Sequence, residues 1–245
     1  MNGAIETIVG FLPVVAVVLF ALPAYIGVLY QRGFLKGLAI IVILSVFALV
    51  SGTLALKTGF PYGNFSYGDV LGHKLFGTTP WILAFAYPPI LLAAFWLAGK
   101  FTETAWRIPL MAIFVTLIDA VLDPAMVTLE FWKWENAGPF YGVPIINFAG
   151  WLLNGLVAGL ILHKLWGKKS PTVSIALGGI GMLLFWTGAA IGTELWISSV
   201  IGVIVSMSLL IVLYAERKQA AYDDTPDEEP ETVADDDFDV SVIGD

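Results

Sequence analysis

Seven apolar runs, each long enough to cross a lipid bilayer, constrain this sequence more than any other feature. The hydrocarbon core of a bilayer is ~30 Å thick, and a helix needs ~20 residues to cross it. The chain is 58% hydrophobic and only 13% charged, whereas soluble domains carry ~25% charged residues. We therefore predict an all-α polytopic membrane bundle of about seven transmembrane helices, with approximate limits Ile8 to Leu29, Leu35 to Leu56, Pro80 to Gly99, Ile108 to Glu130, Ile145 to Trp166, Val173 to Thr193 and Leu195 to Tyr214.

Two of these runs differ from a simple transmembrane helix in their sequence. The first resembles a signal peptide, but residues 1–10 contain Glu6 and no basic residue, so we expect a retained helix. The fourth contains Pro124, which is expected to kink or break the helix. The sequence has no cysteine, so it offers neither disulfides nor thiolate metal ligands.

Basic residues separate onto alternate sides of the predicted helices. One side has three, Lys57, Lys74 and Lys133. The cytoplasmic side of a membrane protein carries the excess of Lys and Arg, so we predict a multi-pass cell-membrane protein with its N-terminus outside and its C-terminus inside. The nine residues assigned to the cytoplasm are Arg32, Lys36, Lys100, Arg107, Lys164, Lys168, Lys169, Arg217 and Lys218.

The chain ends in an acidic segment. After Lys218 there is no basic residue, whereas eleven of the twenty acidic residues follow it. Such a segment has little apolar surface to bury. We therefore predict a transmembrane helical domain at 1–218 and a disordered, acidic cytoplasmic tail at 219–245, which serves either as a solvated tail or as a docking tail. The acidic composition of the tail is also consistent with an organism that lives at high salt concentration.

A segment rich in aromatic and turn-forming residues follows the second run. It includes Tyr62, Asn64, Tyr67, Asp69 and His73, and it is too long for a minimal connector. Two interpretations stay open. The segment either folds back over the helices as a lid or forms an interfacial aromatic belt with ordinary turns.

The fourth run contains two carboxylic acids. Asp119 and Asp123 are spaced i, i+4 and so lie on one helix face, one turn apart. Ionisable groups at membrane depth cost at least ~2.5–3.5 kcal/mol unless they are paired or wet, and are functional candidates by default. Close like charges and burial favour a neutral, protonated acid, and Pro124 leaves a nearby backbone carbonyl without its helical donor. The alternative is a structural pair at the wet membrane surface.

Further polar and aromatic candidates follow this helix. Asn147 lies just inside the fifth run, where an amide needs a hydrogen-bond partner. The others are Glu130, Trp132, Trp134 and Tyr141, although an aromatic belt explains part of this group. In the predicted topology all of these residues lie toward the extracytoplasmic side, which indicates a single site.

The combination of motifs is similar to a known family. PYGNFSY with GHKLFG, then D-x-x-x-D-P followed by W-x-W, and then Y-G-V-P-x-x-N-F-x-G-W resemble the CruF-type membrane carotenoid biosynthesis family over most of 60–151. The resemblance implies an enzyme that hydrates the terminal double bonds of acyclic carotenoids. The implied partners are an acyclic carotenoid, the bilayer and other carotenoid biosynthesis enzymes, with no nucleic acid.

Hydration of an isoprenoid end group needs a proton donor, stabilisation of a tertiary carbocation, and an oriented water. A neutral carboxyl, aromatic faces and a polar side chain supply these in turn, and no cofactor or metal is expected. The candidate catalytic residues are Asp119, Asp123, His73, Asp69, Asn147 and Glu130, and the candidate substrate-binding residues are Trp132, Trp134, Tyr141, Tyr62, Tyr67 and Asn64.

Other classes of membrane protein share some of these features. A retinal-binding rhodopsin needs a lysine in the last helix, and Leu195 to Tyr214 has none. A membrane prenyltransferase needs two acidic motifs on the cytoplasmic side to hold Mg²⁺, and only one is present, on the opposite side. A lycopene cyclase-like enzyme, which also begins by protonating an alkene, and a non-enzymatic carotenoid-binding or transport protein remain as alternatives.

Overall fold

A computed structural model describes residues 3–75, 77–167 and 171–223. Within them the chain forms seven α-helices, which confirms the predicted helical bundle. Their limits lie within a few residues of the predicted ones at most ends. The helices are α1 (Gly3–Arg32), α2 (Phe34–Thr58), α3 (Leu83–Phe101), α4 (Arg107–Thr128), α5 (Ile145–Trp166), α6 (Leu177–Gly192) and α7 (Trp196–Asp223).

Six of the helices in the described residues are long and apolar enough to cross a membrane. The exception is α6, with 16 residues, because a 3₁₀ turn at Val173–Ile175 replaces the start of the predicted sixth run. On α2, Val42, Val46 and Val50 are exposed at successive i, i+4 positions, as expected of a face that contacts lipid.

The chain divides into two compact units, Met1–Leu210 and Ile211–Asp245. The first contains α1 to α6 and the beginning of α7. The described part of the second is helical to Asp223, so helix extends five residues past the predicted start of the tail. Residues 224–245, which hold the rest of the predicted acidic tail, lie outside the described residues.

Prolines inside the helices leave backbone carbonyl oxygens without a helical donor, and side chains of neighbouring helices can donate hydrogen bonds to them. Pro124 does not break α4, which continues to Thr128. Proline has no N–H for the carbonyl four residues before it. In α3, Pro88 leaves the Ala84 carbonyl free in this way, and this oxygen accepts hydrogen bonds of 2.8 Å from both Tyr25 of α1 and Ser45 of α2.

Helix α4 packs closely against α5 because small residues meet between them. A Cβ added to Gly155 would lie 2.6 Å from the Cα of Ala112, so only glycine permits this approach. A Cβ on Gly150 would lie 2.6 Å from the carbonyl oxygen of Pro61. The second contact seats the loop after α2 directly on α5.

The aromatic segment after α2 folds back over the helices as a lid. Its strand β1 (Phe65–Tyr67) is followed by a 3₁₀ turn at Asp69–Leu71 and by the short antiparallel strands β2 (Lys74–Leu75) and β3 (Thr79–Pro80). Strand β1 pairs antiparallel with β4 (Trp132–Trp134), with Phe65 opposite Trp134 and Tyr67 opposite Trp132. Of the two interpretations left open, the structure has the lid.

Candidate active site

A cavity of about 390 Å³ lies beneath the lid. Helices α1 to α6 and the lid all contribute to its wall, which is predominantly apolar. This volume lies in the ~300–1,000 Å³ range of small-molecule sites, and a few convergent polar groups in an apolar wall are typical of such sites. The polar or polar-tipped side chains in the wall are Tyr62, Tyr67, Tyr87, Asp123, Trp132, Trp134, Asn147, Trp151 and Trp186.

Asn147 joins the two carboxyl groups of α4. Its Nδ2 donates one hydrogen bond of 3.0 Å to Oδ2 of Asp119 and a second to Oδ2 of Asp123. All three side chains are buried, with exposed fractions of 1–2%. The i, i+4 spacing puts both carboxyls on one face of α4, and the close packing of α5 brings the amide of Asn147 to that face.

Both carboxyls accept from the same amide nitrogen, so their Oδ2 atoms converge on one point, and two carboxyl groups that share a site favour a form in which one of them carries a proton. Asp119 Oδ1 is buried without an N–H or O–H donor among the described residues. Asp123 lines the cavity, whereas Asp119 lies outside its wall. The acid pair therefore opens to the cavity through Asp123, with Asp119 behind it.

Trp151 forms the wall next to the acid pair. It follows Asn147, which bonds Asp123, by one helical turn. Its ring is 4.9 Å from that of Tyr87 and 5.7 Å from that of Tyr62, between centroids. An indole has one N–H donor and a large π-face. The arrangement places an aromatic surface directly beside the carboxyl that faces the cavity.

The lid adds a second aromatic wall. Side chains of successive strand residues point to opposite faces, and here Phe65, Tyr67, Trp132 and Trp134 line the cavity while Ser66 and Lys133, which face each other in the ladder, are exposed. Trp134 Nε1 also donates a 2.9 Å hydrogen bond to the Tyr62 carbonyl. This bond fastens β4 to the loop that rests on α5.

A buried chain of hydroxyl and amide groups reaches the same cavity. The hydroxyl of Tyr62 lies 3.1 Å from that of Ser51 and 3.0 Å from that of Tyr87. Ser51 donates a 2.8 Å bond to Oδ1 of Asn154, whose Nδ2 donates to the carbonyl of Gly150. This chain links α2, α3 and α5.

The phenols of the lid remain neutral. Burial raises the pKa of the Tyr62 and Tyr67 hydroxyls above the usual value of a tyrosine, because an anion is poorly solvated in an apolar site. Neutral phenols can both donate and accept hydrogen bonds.

Six of the twelve residues proposed from sequence line the cavity, namely Asp123, Asn147, Trp132, Trp134, Tyr62 and Tyr67, and Asp119 lies directly behind them. The other five lie elsewhere. Asp69 is exposed and forms a 3.1 Å ion pair with Lys74. The side chain of Asn64 donates a hydrogen bond to Glu135. His73 and Glu130 are exposed. The hydroxyl of Tyr141 accepts a 3.0 Å hydrogen bond from the backbone N–H of Ile197.

Sequence reasoning did not select Ser51, Tyr87, Trp151 or Asn154. Asn154 follows Asn147 by seven residues, two helical turns, so both lie on one face of α5; that spacing was an available signal. Tyr87 and Ser51 lie within apolar runs. The sequence of such a run does not indicate whether a hydroxyl group faces a cavity or a neighbouring helix. Among the described residues, no three His, Cys, Asp or Glu side chains are grouped to hold a metal ion.

Comparison with known proteins gives three findings. The chain is 38% identical over 130 residues to bisanhydrobacterioruberin hydratase from Haloarcula japonica. The aligned region is 51% of this chain and 44% of the relative, so it spans less than half of the relative's length. No solved structure matches. Residues 8–209 match the family described as "Carotenoid biosynthesis protein", and the chain therefore belongs to this family of carotenoid biosynthesis proteins.

Proposed function

We propose that this protein is a carotenoid hydratase that adds water across a terminal isoprenoid double bond of an acyclic carotenoid. One observation carries the proposal. The buried group of Asp119, Asp123 and Asn147 opens through Asp123 onto an aromatic-walled cavity. The name of the Haloarcula japonica relative, a bisanhydrobacterioruberin hydratase, supports the same reaction class.

The proposed reaction begins with proton transfer. The protonated Asp123 carboxyl donates its proton to one carbon of the end-group double bond, and the π electrons form the new C–H bond. A tertiary cation remains on the other carbon. Asn147 and Asp119 hold the Asp123 carboxyl in place, since the amide bonds both groups and a positioned acid is effective only with the correct geometry.

The aromatic walls stabilise the cation. Trp151 and Asp123 line the same cavity, and Trp132, Trp134 and Tyr67 face it from the lid. The π-face of an aromatic ring attracts a cation, most strongly when both are desolvated. A water molecule then forms the C–O bond and loses a proton, which returns to the Asp123 carboxylate. The sum is one alkene and one water converted to one tertiary alcohol.

The dimensions of the cavity suit one end of a carotenoid. A volume of about 390 Å³ holds a few isoprenoid units, so the remainder of a long polyene would extend into the lipid. The proposed location is the cell membrane, and other carotenoid biosynthesis enzymes in that membrane would supply the apolar substrate.

A lycopene cyclase-like activity is the second candidate, because it also starts with protonation of an end-group alkene. The polar groups in the cavity wall favour hydration, since a cyclase must keep water away from the cation. The test is expression in a host that makes acyclic carotenoids, followed by mass spectrometry of the pigments. A gain equal to the mass of one or two waters is expected. An isomer of unchanged mass would indicate a cyclase, and unaltered pigment that copurifies with the protein would indicate a binding protein.

A further inference from the structure

The hydrogen-bond chain beside the cavity has a direction that can be deduced from its donors. Nδ2 of Asn154 donates to the Gly150 carbonyl at 3.1 Å, which leaves Oδ1 of the same amide as an acceptor. Ser51 lies 2.8 Å from that oxygen and must donate its only hydroxyl hydrogen to it.

The direction then extends to the tyrosines. Because the Ser51 hydrogen is committed, the 3.1 Å bond between Ser51 and Tyr62 must be donated by Tyr62. A phenol has one hydrogen, so the 3.0 Å bond between Tyr62 and Tyr87 must be donated by Tyr87. Tyr87 is thus the last member of the chain. Its hydroxyl hydrogen is donated to Tyr62, and the lone pairs of its oxygen accept no hydrogen bond from the chain.

Tyr87 belongs to the wall that contains the acid. Tyr87, Trp151 and Asp123 all line the cavity, and the rings of Trp151 and Tyr87 are in contact. A water that donates one of its hydrogens to Tyr87 keeps an oxygen lone pair for another atom. A nucleophilic water needs this arrangement, because its lone pair must point at the cation.

We propose that Tyr87 holds the water that adds to the carotenoid cation, and that Tyr62, Ser51 and Asn154 fix Tyr87 as the acceptor. The proposal rests on the proposed hydratase function. The water oxygen forms the C–O bond to the cationic carbon, and the proton it releases returns to the Asp123 carboxylate. Tyr87 is the catalytic residue here, and the other three are positioning residues.

Deuterium labelling separates water placement from proton transfer. Membranes that contain the full-length protein are incubated in D₂O with bisanhydrobacterioruberin, and both the product and the recovered substrate are analysed by mass spectrometry. A cation that captures no water returns to an alkene by losing a proton, and so leaves deuterium in the recovered substrate. Tyr87→Phe should lower hydrated product about tenfold or more, as expected for one hydrogen bond to a reacting group, while deuterium in the recovered substrate stays at or above the wild-type level.

The companion variants make the result specific. Ser51→Ala removes the acceptor of the Tyr62 hydrogen and should give a smaller loss of product with deuterium retained. Asp123→Asn should lose both product and deuterium. Tyr25→Phe is the matched control, since Tyr25 bonds the Ala84 carbonyl outside the cavity wall, and it should keep both.

Two outcomes would overturn the role of Tyr87, with all values normalised to protein in the membrane. Tyr87→Phe could keep wild-type hydration, or it could lose deuterium incorporation together with product. If instead Asp123→Asn retained both product and deuterium, the acid of the proposed function would be wrong, whatever the result at Tyr87. If Tyr87→Phe does not accumulate in the membrane, Ser51→Ala carries the test, and unchanged hydration in that variant would overturn the deduced direction of the chain.

Discussion

Ser198 Oγ donates a 2.8 Å hydrogen bond to the carbonyl oxygen of Ala120. Ala120 lies four residues before Pro124, so this carbonyl lacks a helical donor. Ser198 belongs to α7 and is fully buried. The backbone carbonyl that Pro124 was expected to leave without a helical donor is therefore that of Ala120, and a side chain of another helix supplies its hydrogen bond.

We expect Ser198→Ala to lower the stability of the bundle by about 1–3 kcal/mol, because it leaves a buried carbonyl without a donor. The loss should shrink in a Pro124→Ala background, where residue 124 regains the N–H that Ala120 lacks. Thermal unfolding in detergent of the four members of this double-mutant cycle measures the coupling. Ser208→Ala is the control, since Ser208 is exposed and bonds the Ile204 carbonyl of its own helix. Equal losses in both backgrounds would mean that Pro124 is not the reason for the Ser198 bond.

Much of this fold could be predicted from sequence because the thickness of a bilayer fixes the length of a spanning helix. The fifth helix matches its prediction at both ends, Ile145 and Trp166. The lid could not be predicted to the same degree. Its strands β1 and β4 have three residues each, too few for an alternating pattern to stand out, and they pair across two helices of intervening sequence.

The site was predictable in part for a related reason. The spacing of Asp119 and Asp123 identified a shared helix face, which needs only helical periodicity. It could not tell which carboxyl faces a cavity, because that depends on how α5 packs. His73, Asp69 and Glu130 were selected for their polarity, but polarity in a loop does not indicate the direction of a side chain. Tyr87 carried no signal, since it lies inside a long apolar run before Pro88.

The two lid tryptophans should differ when each is replaced by phenylalanine. Both substitutions keep an aromatic face toward the cavity. Trp134→Phe also removes the Nε1 bond to the Tyr62 carbonyl, which leaves a buried acceptor unpaired at a cost of about 1–3 kcal/mol. We therefore expect a larger loss of hydrated product for Trp134→Phe than for Trp132→Phe, measured as pigment composition at equal membrane levels. Equal effects would show that the lid acts through its aromatic faces alone.

The predicted orientation can be tested with terminal tags. The distribution of Lys and Arg predicts an external N-terminus and a cytoplasmic C-terminus. A protease added to intact cells should remove a tag placed before Met1, and should reach a tag placed after Asp245 only when the cells are opened. Removal of both tags from the same side would require an even number of crossings, for which the short helix α6 is the first candidate to be re-examined.

Asp119→Asn and Asp123→Asn should each abolish hydration while the protein still inserts, because asparagine matches the shape of the carboxyl but cannot supply the proton. The double variant should lose no more activity than either single one, since Asn147 bonds both carboxyls and the effects of groups that act as one unit are not additive.

Asp123 is the expected donor, because it lines the cavity and Asp119 does not. Glu103→Gln, an exposed carboxyl between α3 and α4, is the control and should leave pigment composition unchanged. If both aspartate variants gave near-normal product at equal membrane levels, the proton would have to come from a group other than this pair.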